Sequence, residues 1–317
     1  MDILLLGVGL LLLLIGAELL IKGASSVASR FGVSALVVGL TIVSFGTSLP
    51  EMIVSVIAGL RGSADLAIAN VIGSNIANIL LVLGVAVIVR PLPVRESTVV
   101  SEIPFSLTAA LLVGFLANAA LFSPDPHLSI SRLDGAILLF FFCLFMLYVY
   151  KVAREKKHLD HNAKPTINTW LAIVYISLGI LCLYFGGQWV VERAIGIARA
   201  WGVGDALIGL TVVALGTSSP EIAASAVAAY RQQADIAVGN VIGSSIFNLL
   251  WVLGITASIV ELPFEVINNT DLVMVIVSST LIILALVTSR SSTLLRSHGV
   301  LFVTLYGVYL TYVVHRG

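Results

Sequence analysis

Apolar residues run along this chain in long blocks separated by short polar stretches, and the blocks recur from one end to the other. A helix that crosses a bilayer needs about 20 consecutive, mostly apolar residues. Ten stretches come near or above that length: 2–28, 34–60, 65–89, 101–122, 131–153, 168–190, 204–229, 235–260, 270–288 and 298–314. The first and sixth run on past the membrane into polar, amphipathic ends. Two blocks break the pattern at their centres. Residues 39–58 read GLTIVSFGTSLPEMIVSVIA, and residues 209–228 read GLTVVALGTSSPEIAASAVA. Each holds a proline and a glutamate where a lipid-facing helix tolerates neither a breaker nor a carboxylate.

These two blocks belong to a longer duplication. Residue i aligns with residue i+170 without a gap from about Leu11 to beyond Gly84, and about 26 of the 47 positions from 39 to 85 are identical. ADLAIANVIGSNIANILLVLG lies over ADIAVGNVIGSSIFNLLWVLG, and, at a shorter offset, RLDG at 132–135 lies over RSHG at 296–299. Each copy holds five spans. Because five is odd, the second copy enters the membrane from the opposite side. The pattern therefore predicts an all-α integral membrane protein of ten transmembrane helices in two inverted five-helix repeats. Residues 1–153 form spans 1–5, residues 154–167 a linker, and residues 168–317 spans 6–10. Helices 2, 3, 7 and 8 are expected to be broken and to place a site between the halves near the midplane, as inverted-repeat transporters do.

Composition agrees: 59% hydrophobic residues, 11% charged and a mean hydropathy of +1.08 exclude an ordinary soluble domain. The net charge is zero, so the placement of charges carries the information. Lys22, Arg30, Arg90, Arg95, Lys151, Arg154, Lys156, Lys157, Lys164, Arg231, Arg290 and Arg296 fall on one side of alternating loops. Only Arg61, Arg132, Arg193, Arg199 and Arg316 fall on the other. The positive-inside bias puts the 154–167 loop in the cytoplasm and both termini outside. The acidic opening MDILLLG lacks the basic start and cleavage site of a removed signal. Cys143 and Cys182 fall within spans and are expected to be reduced. The five histidines lie in or near loops, which leaves no member for a histidine metal site inside the membrane.

The chemistry gathers at the breaks. Pro50 has no amide hydrogen and its ring clashes with the carbonyl of Gly46; Pro220 does the same to Gly216. Each proline frees a backbone oxygen at a depth where irregular backbone survives only in protein or beside a wet cavity. Glu51 and Glu221 follow directly, and a charged residue at a helix centre costs about 2.5–3.5 kcal/mol on insertion scales. Thr47 and Glu51 share a helix face, as do Thr217 and Glu221, Ser74 and Asn78, and Ser244 and Asn248. Two carboxylates, hydroxyls, amides and carbonyls, without sulfur or imidazole, suit a hard cation such as calcium or sodium. Elsewhere, Asp65 and Asp235 are expected to cap the helices they begin. Glu18 and Lys22, four apart, are expected to pair near a helix end.

GTSLPE with ANVIGS, repeated as GTSSPE with GNVIGS, resembles the paired alpha repeats of the sodium/calcium exchanger family, within the cation/calcium antiporter superfamily. The likeness extends over essentially the whole chain and is to the minimal, prokaryotic type. It implies a four-site ion cluster on helices 2, 3, 7 and 8, and alternating access by sliding of the long first and sixth helices. By motif position, Glu51, Glu221 and the Thr47 and Thr217 carbonyls would hold calcium. Ser48, Ser218, Ser74, Ser244 and the Ser44 and Ala214 carbonyls would help form sodium sites, with Asn78 and Asn248 completing the centre. Asn248 in place of an aspartate leans away from the potassium-dependent branch. Gly73-Ser74 and Gly243-Ser244, where the proton-coupled branch carries a glutamate, favour sodium. Ser219 departs from the usual leucine, a change expected to affect packing more than coordination.

The expected activity is sodium/calcium antiport at one shared site, with proton/calcium exchange on the same two glutamates as the alternative. The transported ions are substrates; no cofactor, nucleic acid or obligatory protein partner is expected, and the setting is a prokaryotic inner membrane. An enzyme is not expected. Residues 202–205, GVGD, match a string of intramembrane aspartyl proteases, but no partner aspartate is evident and Asp205 reads as a helix-start residue. The inverted, broken repeats disfavour a channel.

Overall fold

The structure is a computed structural model and describes residues 2–122, 127–155, 167–200, 214–289 and 291–316. Helix α1 (Asp2–Phe31) is apolar almost throughout and ends in a Schellman turn. There Gly32 takes φ +64° and the Val33 amide bonds back to the Ala28 carbonyl at 3.0 Å. Along its length α1 packs against α10 (Thr169–Ala200). Glycines let the two backbones touch: a Cβ on Gly16 would lie 2.9 Å from the Gly179 carbonyl, and one on Gly9 3.1 Å from that of Gly186.

The second span is bent. The Ser34 hydroxyl accepts the Val37 amide at 3.3 Å and starts α2 (Ala35–Val38). A π-helical turn (Gly39–Val43) and α3 (Ser44–Thr47) follow. The chain then turns by 48° into α4 (Leu49–Leu60). The hinge is Ser48, at φ −87°, ψ 7°, two residues before the proline that cannot donate to the helix behind it. In the second half the same geometry returns between α11 (Ala214–Thr217) and α12 (Ser219–Tyr230), with Ser218 at φ −83°, ψ 3°. Residues 201–213, including Asp205 and the start of the expected seventh span, lie outside the described residues, as does most of the 154–167 linker.

The third and eighth spans correct the expectation that they are broken. Helix α5 (Ala64–Ile76), a π-helical turn (Ala77–Val82) and α6 (Leu83–Val89) form one continuous helix. So do α13 (Ala234–Ile246), the turn Phe247–Val252 and α14 (Leu253–Ile259). Neither stretch contains proline, and an interior glycine costs a helix only about 1 kcal/mol, which packing at the centre of the bundle overrides. The π turns widen the helix locally instead of interrupting it.

The remaining elements are α7 (Glu96–Val100), α8 (Glu102–Ala117), α9 (Arg132–Glu155), α15 (Asn268–Thr288) and α16 (Arg296–Arg316). Two short antiparallel ribbons join the halves: β1 (Leu92–Pro93) pairs with β4 (Thr293–Leu294), and β2 (Ser129–Ile130) with β3 (Leu262–Pro263). Among the described residues eight helices are long and apolar enough to cross a membrane, and the bent pair of the second span makes a ninth. Burial sorts them: 94% of the Ala234–Ile259 span is inside the bundle, against 17% of Arg132–Arg154. The two central helices carry the polar text, and the outer ones face lipid.

Two smaller expectations are also corrected. Asp65 and Asp235 lie in the first turn, not at the cap, and the capping positions Ser63 and Gln233 make no side-chain capping bond. Asp235 instead pairs with Arg95. Glu18 does not pair with Lys22: Lys22 lies over the Tyr175 ring at 5.6 Å, and Glu18 reaches Arg231. Both carboxylates find a stronger partner, a guanidinium on another element.

Candidate functional site

Glu51 is the third residue of α4 and Glu221 the third of α12, so each carboxylate stands at the amide end of a helix. Both are buried, at 1% and 0% exposure. A helix N-terminus favours a negative charge by about 0.3–1 kcal/mol at exposed sites. Burying two carboxylates costs several kcal/mol, so the helix ends alone do not hold them charged. Among the described residues every buried polar side chain is Ser, Thr, Asn, Glu or Asp, and none is Lys, Arg or His.

The surrounding side chains come from both halves. The Ser48 hydroxyl donates to Glu221 Oε1 at 3.1 Å. Thr47 Oγ1 lies 3.3 Å from the Ser44 carbonyl, 3.2 Å from Asn240 Oδ1 and 3.4 Å from Ser244 Oγ. Ser244 in turn reaches the Ser44 carbonyl at 3.5 Å. Ser74 is buried on α5, one turn before Asn78; Asn78 and Asn248 are buried in the two π turns. Ser218 is buried at the second hinge, and Thr217 is half-buried at the end of α11. Ala214 begins α11, and no contact of its side chain is described.

One oxygen of each glutamate, both amide atoms of Asn78 and of Asn248, and the Ser218 hydroxyl are buried and make no hydrogen bond among the described residues. Buried polar atoms in proteins are nearly always satisfied. The oxygens among these unpaired atoms are of the ligand type that hard cations such as calcium and sodium take. Among the described residues there is no group of three or more His, Cys, Asp or Glu side chains, so a soft-metal cage is not built here.

Four further residues belong to this network, and sequence reasoning missed them. Asn70 Nδ2 donates to Ser55 Oγ at 2.9 Å and to the Glu51 carbonyl at 3.2 Å. Asn240 Nδ2 donates to Ser225 Oγ at 2.9 Å. The signal was present: Ser55 matches Ser225 and Asn70 matches Asn240 at the offset of 170, all four polar inside apolar blocks. The expectation for Ser219 changes as well. Its hydroxyl donates to the Gly216 carbonyl at 2.6 Å, the oxygen that Pro220 frees. The two proline breaks are therefore chemically unequal, because Leu49 offers no such donor. Glu102 and Asp271 are also buried: Tyr148 donates to one oxygen of the first at 2.7 Å, leaving its Oε2 unpaired among the described residues, and Arg316 holds the second at 2.8 and 2.9 Å.

With this geometry in hand, comparison with known proteins is informative. The family model for sodium/calcium exchanger protein matches residues 1–151 and again 171–315, once per half. The inner membrane protein YrbG of Escherichia coli is 37% identical over 80% of this chain and 78% of its own length. The sodium/calcium exchanger MaX1 of Methanosarcina acetivorans is 28% identical over 98% of this chain and 97% of its own. The solved structure of the sodium-calcium exchanger NCX_Mj, from crystals soaked with Na+ and Ca2+, superposes with a TM-score of 0.79 at 32% identity, covering 98% of this chain and 97% of that one. An all-helical membrane bundle, a buried oxygen cluster between its halves and a family match in each half lead to one statement: this chain belongs to the sodium/calcium exchanger family and is a multi-pass ion antiporter, a transporter and not an enzyme.

Proposed function

We propose that the protein exchanges Na+ for Ca2+ across a prokaryotic inner membrane, moving both through one site by alternating access. Its ten spans form two inverted halves, with the termini outside and the 154–167 loop in the cytoplasm. The reciprocal contacts support the inversion: at an offset of 170, Gly9 becomes Gly179 and Gly16 becomes Gly186, so the antiparallel contacts Gly9–Gly186 and Gly16–Gly179 exchange. The ribbons β1–β4 and β2–β3 exchange likewise, β1 falling on β3 at the offset of 170 and β2 on β4 at the shorter offset that aligns 132–135 with 296–299.

The observation that carries the reading is the symmetry-matched pair of buried glutamates, each, among the described residues, with an unpaired oxygen and without a buried cationic side chain in the core around it. Glu51, Glu221 and the carbonyls of Thr47 and Thr217 take calcium. Ser48, Ser218, Ser74, Ser244 and the carbonyls of Ser44 and Ala214 contribute to sodium sites, with Asn78 and Asn248 at the centre. The same two carboxylates cannot serve Ca2+ and the full set of Na+ together, so the ions compete. A loaded site is charge-compensated and can cross the apolar barrier between the two open forms; an empty double carboxylate resists that crossing. No resident cofactor or protein partner is required.

The test is radiolabelled Ca2+ uptake into sodium-loaded proteoliposomes diluted into sodium-free buffer. Uptake should need the outward sodium gradient, and Glu51→Gln and Glu221→Gln should each lower it by roughly a hundredfold or more, the scale set by losing a buried charge worth about 3 kcal/mol. Uptake driven equally by a pH gradient and indifferent to sodium would assign the protein to proton/calcium exchange instead.

A further inference from the structure

The two faces of the molecule differ in the contacts they carry between a long outer helix and the bundle. Arg231 and Gln233 flank the corner between α12 and α13, where Gln232 takes the left-handed φ of +64°. Both reach across to α1. Arg231 grips the Glu18 carboxylate with two nitrogens, its Nε at 2.7 Å from Oε2. The Ser25 hydroxyl donates to Gln233 Oε1 at 2.7 Å. These two contacts close the gap between the long outer helix and the bundle beside a cavity of about 540 Å³, whose wall includes Ser25, Ser29, Arg95, Gln233 and Asp235.

If the halves were equivalent, the opposite face would carry the same contacts 170 positions away. It does not. Glu18 corresponds to Gln188 and Arg231 to Arg61, so the carboxylate is replaced by a neutral amide, which bonds Tyr184 on its own helix at 3.1 Å. Ser25 corresponds to Ile195 and Gln233 to Ser63, so the hydroxyl that donates is replaced by a hydrocarbon. The neighbouring Arg95–Asp235 ion pair has Glu265 and Asp65 as its counterparts, two like charges. At the other corner neither ion pair can form and the Ser25–Gln233 hydrogen bond has no donor on the long helix.

We propose that Glu18–Arg231 and Ser25–Gln233 form a one-sided latch that biases the resting exchanger toward the form closed on this face. The proposal rests on the alternating-access reading given above. At the 170-offset positions of the opposite face the described residues hold no counterpart to these two contacts, so the two forms are unequal in energy even without ions. Part-exposed ion pairs are individually modest, and a shift on the order of threefold to tenfold in the balance of the two forms is expected.

The experiment places a single cysteine at Ala28, which is buried against the bundle on the wall of the cavity and uncovered when α1 parts from the corner. The background is Cys143→Ala with Cys182→Ala, and the readout is the rate of labelling by a small hydrophilic maleimide. Glu18→Gln and Arg231→Gln should each raise that rate about threefold to tenfold, and the charge exchange Glu18→Arg with Arg231→Glu should bring it back toward the starting value. Gln188→Glu, which builds an ion pair with Arg61 on the opposite face, should also raise it, because shutting that face opens this one. Unchanged rates in the single variants, no recovery in the exchanged pair, or no effect of Gln188→Glu would each overturn the latch. Labelling of the starting protein that responds to neither Na+ nor Ca2+ would instead count against alternating access itself.

Discussion

Thr47 and Asn240 come from opposite halves of the chain and meet at 3.2 Å, and Ser48 and Glu221 meet at 3.1 Å in the same way. Each half thus orients polar side chains that belong to the other. Asn240→Ala removes the acceptor of Thr47 and the donor to Ser225, leaving two buried hydroxyls short of a partner, at a cost of about 1–3 kcal/mol. The apparent calcium affinity should fall about tenfold, read as the half-saturating calcium concentration for exchange. The glutamates were legible in the sequence because a charge in an apolar block has few bland explanations. Asn70 and Asn240 were not: an amide in a membrane helix can bond its own backbone, as Asn75 does by donating to the Val71 carbonyl at 2.7 Å. The bond from Ser219 to Gly216 was hidden for a similar reason, since a leucine-to-serine difference between repeats reads as packing until the freed carbonyl is seen beside it.

At the scale of elements, a proline break is written in the sequence and a π turn is not. Pro50 and Pro220 fix the hinges at Ser48 and Ser218 by removing a donor. The turns that hold Asn78 and Asn248 sit in helices whose apolar pattern continues on either side, and one extra residue per turn barely alters that pattern. The α1–α10 seam was not anticipated either, because spaced glycines in an apolar span have many uses. It makes a clear prediction. A Cβ on Gly179 would sit 2.7 Å from the Leu20 amide and 2.8 Å from the Gly16 carbonyl, whereas one on Gly7 meets nothing within 4 Å. Gly179→Val should therefore destabilise the protein by about 1–3 kcal/mol, since backbone cannot move aside as a side chain does. Gly7→Val should be close to neutral. Thermal unfolding of the two variants in detergent separates them.

For the molecule as a whole, the duplication, the membrane setting and the dominance of helix were readable from periodicity alone. The ribbons and crossings that interlock the halves required coordinates. Leu92 pairs with Leu294 and Ile130 with Leu262, so each half contributes a strand to both ribbons. The two central helices are buried by elements of the other half as well as their own. Neither half encloses its own polar face. Cutting the chain within 156–166 and expressing the two pieces should give no stable product from either alone. Coexpression should restore a complex that copurifies and exchanges calcium.

The unequal corners bear on how such a molecule can present unlike entrances to the two sides of the membrane. A dimer of identical five-span units, related by a two-fold axis in the membrane plane, would repeat every side chain on both sides of the membrane. Any substitution that tightened one entrance would tighten the other equally, and the two open forms would stay balanced. A single chain carrying both units escapes that constraint, because Glu18 can change without Gln188. Joining the copies is thus what allows the cell's two sides to be treated differently by a machine built from one repeated part.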